Sequence, residues 1–427
     1  MPDFYVNGTR GDDLAPGTYA QPVKTIFRAT ELAAEMPGGS GTIYVEPGIY
    51  DLASGENFPL LVPPRYGLEG TGFTDLPIIR YDGRARGSDG IVPFWNNVVL
   101  VAGTAVRNIV MEADPYTDIP PCTTMNAMQT IEDGVTVENV ELRARSLDIN
   151  DGFGFGIYGV GNRGLIQGIR FRAGGSEVLW EGGSCTLRRS SFDTAGAYFG
   201  DGDHTIETNT FVNAFLGVRP STNARIFRNS FRDSTIGGGV IWVHGPPGTA
   251  ADGPFIEDNV IRDCRFGISC EGRGTARFRR NSVERFSNIG VWIHGGSSPV
   301  FENNNRIRMP TDRFALVLKT GSDAFPSFED TVFDSKLASP ISGRIFAMTG
   351  IELRSPVDFG GGGRSRGNNS FGMVYSWPIA DIPGGGVIKA HNNLWPYYYG
   401  RLFNAAPGTV VEYDGARLDP DGWTAGR

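Results

Sequence analysis

Lysine is scarce in this 427-residue chain: Lys24, Lys319, Lys336 and Lys389 stand in a basic complement that is otherwise arginine. Arginine serves wherever only surface charge is wanted, so each lysine flags a specific role. Histidine numbers only four residues, and cysteine the same. Cys122, Cys185, Cys264 and Cys270 are too few for a disulfide scaffold and lack the CxxC spacing of a zinc site, which favours buried free thiols, with disulfides as the alternative. No run of about 18 apolar residues occurs, which argues against a membrane span. Net charge is −8, which argues against a nucleic-acid groove. The opening MPDFYVNG has no basic-then-hydrophobic leader. It reads as cytoplasmic if the chain is complete, and as extracellular or periplasmic if a signal has been removed.

Glycine, by contrast, is abundant at 60 residues, so turns are frequent and long helices are not expected. From Gly134 onward short alternating segments recur: GVTVENVEL, CTLRRSSF, HTIETNTF, ARIFRNSF, PFIEDNVI, ARFRRNSV, PVFENNN. Each is followed by a second strand ending in Gly or a turn: EVLWEGG, GAYFGDG, FLGVRPS, GVIWVHG, FGISCEG, GVWIHGG, FALVLKTG. The period, roughly 18 to 27 residues, lies in the solenoid range and is too short for a propeller blade. Strands of about four residues bury a face only by stacking on their neighbours. The fold expected is all-β, a parallel β-helix solenoid with rungs about 4.8 Å apart. A β-sandwich is the competing architecture. Asn209, Asn229, Asn259 and Asn281 recur at one place in the rung and read as a structural turn ladder.

The ends differ. Thr25 to Met36 places Ile26, Ala29, Leu32, Ala33 and Met36 on one helical face, a cap for the open first rung. Pro/Gly-rich inserts are expected at 113–125 and 245–254, and the aromatics of HNNLWPYYYG close the far end. The division expected is residues 1–75 as cap and first rungs, 76–395 as β-helix, and 396–427 as C-terminal tail or cap.

The segments FYVNGTRGDDLAPGTYAQPVKTI and GTIYVEPGIYDLASGENFPLLVPPRYGLEG resemble the opening module of the DUF1565 family of right-handed parallel β-helix proteins. The closing NNSF…IKAHNNLW resembles the end of such proteins. The opening is also similar to that of some pectate lyases, which share the pectin-lyase-like fold. The resemblance implies a right-handed β-helix and leaves function open. No lyase active-site motif maps residue by residue. GDGDH at Gly200–His204 is similar to acidic clusters that hold calcium in such lyases, and a solvated turn is the alternative.

GVIWVHG and GVWIHGG say nearly the same thing twice. Alternation puts Val240, Trp242 and His244 on one side, as it does Trp292 and His294, with Ile241, Val243, Val291 and Ile293 opposed and inward. An outward column of Leu179, Tyr198, Gly217, Trp242, Ser269, Trp292 and Val317 then runs beside a second of Glu181, Asp201, Arg219, His244, Glu271, His294 and Lys319. Exposed aromatics beside convergent polar groups suit a saccharide, with Trp242, Trp292, Tyr198 and Asp201 as binding residues. A solvated strand edge is the alternative.

Asp201 and Glu271 fall three rungs apart, about 14 Å, too far for a two-carboxylate glycosidase. His244, Glu271 and His294 fall on adjacent rungs, about 5 Å from one to the next. Glu271 would orient either imidazole for proton transfer, while Arg219 and Lys319 neutralise a uronate carboxylate or serve as the base. The reaction expected is a lyase or C5-epimerase reaction on an acidic saccharide. A non-enzymatic carbohydrate-binding or structural module is the alternative, with a glycoside hydrolase or small-molecule cyclase behind it. No cofactor is required, although His–Glu–His would also suit a divalent metal, as GDGDH would calcium. The partners expected are a saccharide, with neither nucleic acid nor membrane, and a monomer or homotrimer.

Overall fold

The structure, a computed structural model, describes residues 2–36, 38–81, 94–113, 124–130, 132–144, 155–172, 177–244, 253–272, 275–309, 314–319, 326–335, 344–348, 357–371, 379–382, 387–395, 403–405, 410–412 and 417–418. It forms two compact units, Met1–Thr210 and Phe211–Arg427. Both are built from rungs of three short strands, each pairing in parallel with its counterpart one rung on. Parallel crossovers of this kind are right-handed, so the fold is a right-handed parallel β-helix.

In the second unit a representative rung comprises Arg225–Phe227, Ser230–Arg232 and Ile241–Val243. The next comprises Phe255–Glu257, Val260–Arg262 and Phe266–Glu271. Because alternate side chains point inward, Ile226, Ile256, Phe278 and Phe301 stack as one buried file and Phe231, Ile261, Val283 and Ile307 as another. Phe278 and Phe301 stack at 4.5 Å. Burying such a side chain fully is worth roughly 1.5–3 kcal/mol, and only stacking on adjacent rungs achieves it here.

The asparagines occupy the turn between the first two strands of each rung. Asn259 is fully buried. Its Oδ1 accepts from the Asn229 backbone N–H at 3.0 Å, and its Nδ2 donates to Asn281 Oδ1 at 3.0 Å. Asn281 repeats this with Asn305, and Asn369 with Asn393, so the ladder runs further than the four positions expected. In the first unit Asn209 Oδ1 accepts from Ser190 N.

The first unit opens with the strand Phe4–Val6, which pairs with Gly41–Val45. The helix Ile26–Ala34 packs on these two strands and on Leu60–Val62. Thr25 caps it, accepting from Arg28 N, and the buried Glu56 carboxylate accepts from Ile26 N and Phe27 N at 2.7 and 3.0 Å. The helix is shorter than expected. It ends at Ala34, so Met36 lies in the following turn and is exposed, and Thr30 is buried in the cap instead.

Cys185, Cys264 and Cys270 are free and buried, and burial pushes their thiol pKa values up, that of Cys264 to about 11. Cys122, the tyrosines at 397–399 and most of the two expected inserts lie outside the described residues. Beyond residue 395, where a tail was expected, Phe403–Ala405, Val410–Glu412 and Arg417–Leu418 add one more strand to each sheet.

Candidate functional site

The third strand of each rung in the second unit carries the two echoed segments. Ile241–Val243 pairs with Phe266–Glu271, which pairs with Ile289–His294. Ile241, Val243, Ile268, Cys270, Val291 and Ile293 are buried, which turns Trp242, Ser269, Trp292, Glu271 and His294 to the outer face. His244 follows directly after its strand, with its N–H on Val218 O. Val240 departs from the expected outward side. It is buried, because it precedes the strand and alternation does not yet apply.

The outcome is two short rows. Register aligns Trp242, Ser269 and Trp292 in one and places Glu271 opposite His294 in the other. Glu271 joins the two imidazoles: its Oε2 lies 2.8 Å from His244 Nδ1 and its Oε1 lies 3.8 Å from His294 Nδ1. The first contact is an ion pair by distance, its angle falling outside that of a good hydrogen bond. Ser269 Oγ lies 3.1 Å from His294 Nε2. Which ring nitrogen of each histidine donates and which accepts depends on its tautomer. The side chain of His244 is 40% exposed and that of His294 is 18% exposed. His244 therefore presents the ring more open to solvent.

The tryptophans are half-buried rather than exposed, because each packs on the histidine two residues later. Trp242 and His244 stack at 4.2 Å, and Trp292 and His294 at 4.4 Å. Trp292 also stacks on Phe266 at 5.6 Å. Arg219 is half-buried one residue past the Val218–Val243 pair, alongside His244. Lys319 is the register partner of His294, and its side chain lies outside the described residues. Alternation alone places Ser269 in the column and gives it no role. The signal that would have found it is a small hydroxyl residue between two tryptophans, diagonal to a histidine.

Tyr198 and Asp201 belong to the first unit. Tyr198 is half-buried on Gly196–Phe199, and Asp201 is exposed in the turn that follows. In that turn His204 is buried, with Phe199 5.1 Å away, and desolvation lowers its pKa to about 4, opposed by the Asp201 and Gly200 carbonyls. Among the described residues no three His, Cys, Asp or Glu side chains are grouped so as to hold a metal ion.

Two families match the sequence: the one described as right handed beta helix region, over residues 167–336, and the protein of unknown function DUF1565, over residues 9–75. The chain is a DUF1565-type parallel β-helix protein. No curated protein matches it. Among solved structures, this DUF1565-type chain is similar to the A-module of mannuronan C-5 epimerase AlgE6 from Azotobacter vinelandii, at 12% identity and a TM-score of 0.42, over 91% of this chain and 94% of that one. It is similar to the GH136 lacto-N-biosidase of Eubacterium ramulus at 10% identity and a TM-score of 0.41, over 98% and 68%. A third is tailspike protein 3 of bacteriophage CBA120, at 13% identity and a TM-score of 0.42, over 92% and 59%. Similarity at this level identifies neither substrate nor mechanism.

Proposed function

We propose that this DUF1565-type protein is a carbohydrate-active β-helix that abstracts the C5 proton of a uronate residue, as a polysaccharide lyase or C5-epimerase does. The observation that carries the reading is Glu271 set between two imidazoles, Oε2 toward His244 and Oε1 toward His294. An imidazole beside a carboxylate and open to solvent is a common general base.

His244 Nε2 takes the C5 proton. The resulting carbanion is delocalised into the uronate carboxylate, whose charge Arg219 and Lys319 offset. In a lyase, the C4 oxygen leaves with its electron pair and takes up a proton from the imidazolium or water, which completes β-elimination. In an epimerase, a proton from water returns to C5 on the opposite face. Trp242 supplies an apolar edge for the sugar, and Ser269 with Glu271 holds His294 in place. Alginate, pectate, hyaluronan and heparan sulfate, incubated with the protein and followed by ultraviolet absorbance and proton NMR, test the reading. An unsaturated uronate or an inverted C5 centre on at least one is expected. Neither on any of them would leave the alternative in place, a carbohydrate-binding module that uses the Trp242 face without chemistry.

A further inference from the structure

In the first unit, the turn between the first and second strands of a rung is normally two residues long. Arg107 passes to Val110 through Asn108 and Ile109, Glu138 to Glu141 through Asn139 and Val140, and Gln167 to Arg170 through Gly168 and Ile169. One rung departs from the pattern furthest. Between Tyr66–Gly70 and Ile78–Tyr81 the chain makes a seven-residue excursion, Thr71 to Pro77, that the solenoid does not need.

That loop is fixed rather than slack. Thr71 N–H bonds Val45 O at 2.9 Å, and Pro77 O accepts from Val110 N at 3.0 Å. A Cβ at Gly72 would lie 1.8 Å from Asp75 O, so the loop closes tightly on itself at a position only glycine can fill. What it holds out is Phe73, the most exposed large apolar side chain among the described residues. A braced loop thus holds an aromatic ring in water, where it can meet a ligand.

Beneath the loop lies a cleft of about 570 Å³, lined by Phe73, Glu69, Asn108, Asn139, Glu141 and Arg170 among others. Its volume falls in the range of small-molecule sites, roughly 300–1,000 Å³. Asn108 and Asn139 hold the left-handed turn position of successive rungs, with carboxamides 3.5 Å apart, Nδ2 to Oδ1. Each offers a donor and an acceptor side by side, as a vicinal diol requires. The lining carries Glu69, Glu141 and Arg170, and the charge of Glu141 is already compensated by Arg143 at 2.6 Å and Arg172 at 3.2 Å, which leaves the carboxamides to read a ligand.

We infer that this cleft is a binding site for an uncharged, hydroxyl-rich saccharide, with Phe73 stacking on a sugar face and the Asn108–Asn139 pair reading its hydroxyls. The inference is independent of the chemistry proposed for the second unit. Titration calorimetry of the full chain against cellohexaose, mannohexaose, xylohexaose and, as the anionic counterpart, hexamannuronate tests it. At least one neutral hexaose should bind. Phe73→Ala should weaken that binding about tenfold, the equivalent of one aromatic contact. Asn139→Gly, which suits the left-handed backbone, should weaken it too, while His244→Ala leaves it unchanged. Absence of binding by every neutral hexaose, binding of hexamannuronate alone, or undiminished binding in Phe73→Ala would each overturn the inference.

Discussion

Ser269 and His294 meet across neighbouring rungs, hydroxyl to Nε2 at 3.1 Å, and this contact makes the two imidazoles on Glu271 unequal. His294 has its Nε2 engaged within the protein. Under the proposed function His244, with its side chain 40% exposed, is the imidazole that receives the proton.

His244→Ala should lower turnover on a uronate substrate by roughly 10² to 10⁴, the usual worth of a general base. Thermal stability should change little, since the side chain is partly exposed.

Ser269→Ala should cost far less turnover, about tenfold or under, as expected for one hydrogen bond to a positioning group. The discriminating readout is nitrogen-15 NMR of the imidazoles. The His294 Nε2 resonance should move while the His244 resonances stay, a pattern that generalised loosening of the rung would not produce.

Among the described residues Trp242 stacks on His244, whereas Trp292 stacks on both His294 and Phe266. Trp242→Ala should therefore act mainly through KM. Trp292→Ala should lower kcat as well, because it frees His294. Steady-state kinetics of the two variants checks the split.

Asn259→Ala should be severely destabilising. Its buried carboxamide donates to Ile226 O and accepts from Asn229 N, each at 3.0 Å, and both groups would be left unsatisfied. A loss of about 3 kcal/mol is expected, read as accelerated amide exchange across the neighbouring rungs.

Two buried groups of the first unit set opposing pH dependences. Desolvation raises the Glu56 pKa to about 7, against the pull of the Ile26 and Phe27 N–H groups. Its contribution is complete below the ordinary carboxyl pKa and is lost as pH rises toward 7. His204, lowered to about 4 by burial, contributes fully above the ordinary imidazole pKa and loses that contribution as pH falls toward 4. Each shift corresponds to about 3 kcal/mol. Stability of this unit should consequently vary little between these limits. Glu56→Gln should expose a loss of stability on acidification, and His204→Phe a gain. Thermal melts of the three proteins across that interval check both signs.

The rung repeat was legible because inward files such as Ile226, Ile256 and Phe278 demand an apolar residue at one position of each short strand. The outward face of Trp242 and Trp292 followed from the same alternation. Asn305, Asn369 and Asn393 escaped notice because the turn around them is irregular in sequence, though the stacked carboxamide geometry persists. Phe4–Val6 was missed for a different reason: it joins the sheet ahead of the cap helix and precedes any repeat. The packing of each tryptophan on its own histidine was not legible, since alternation fixes the side of a strand and not the rotamer. The Ser269–His294 contact is likewise diagonal between rungs, which no single-strand pattern encodes.

The most direct test of the proton-abstraction account is hydrogen exchange at C5. Oligouronates incubated with the protein in deuterium oxide, followed by proton NMR, should lose the C5–H signal, either by exchange or by conversion to the unsaturated product. The His244→Ala protein should leave that signal intact. Loss of the C5 proton at an undiminished rate in His244→Ala, or its retention on every oligouronate with the unaltered protein, would contradict the account.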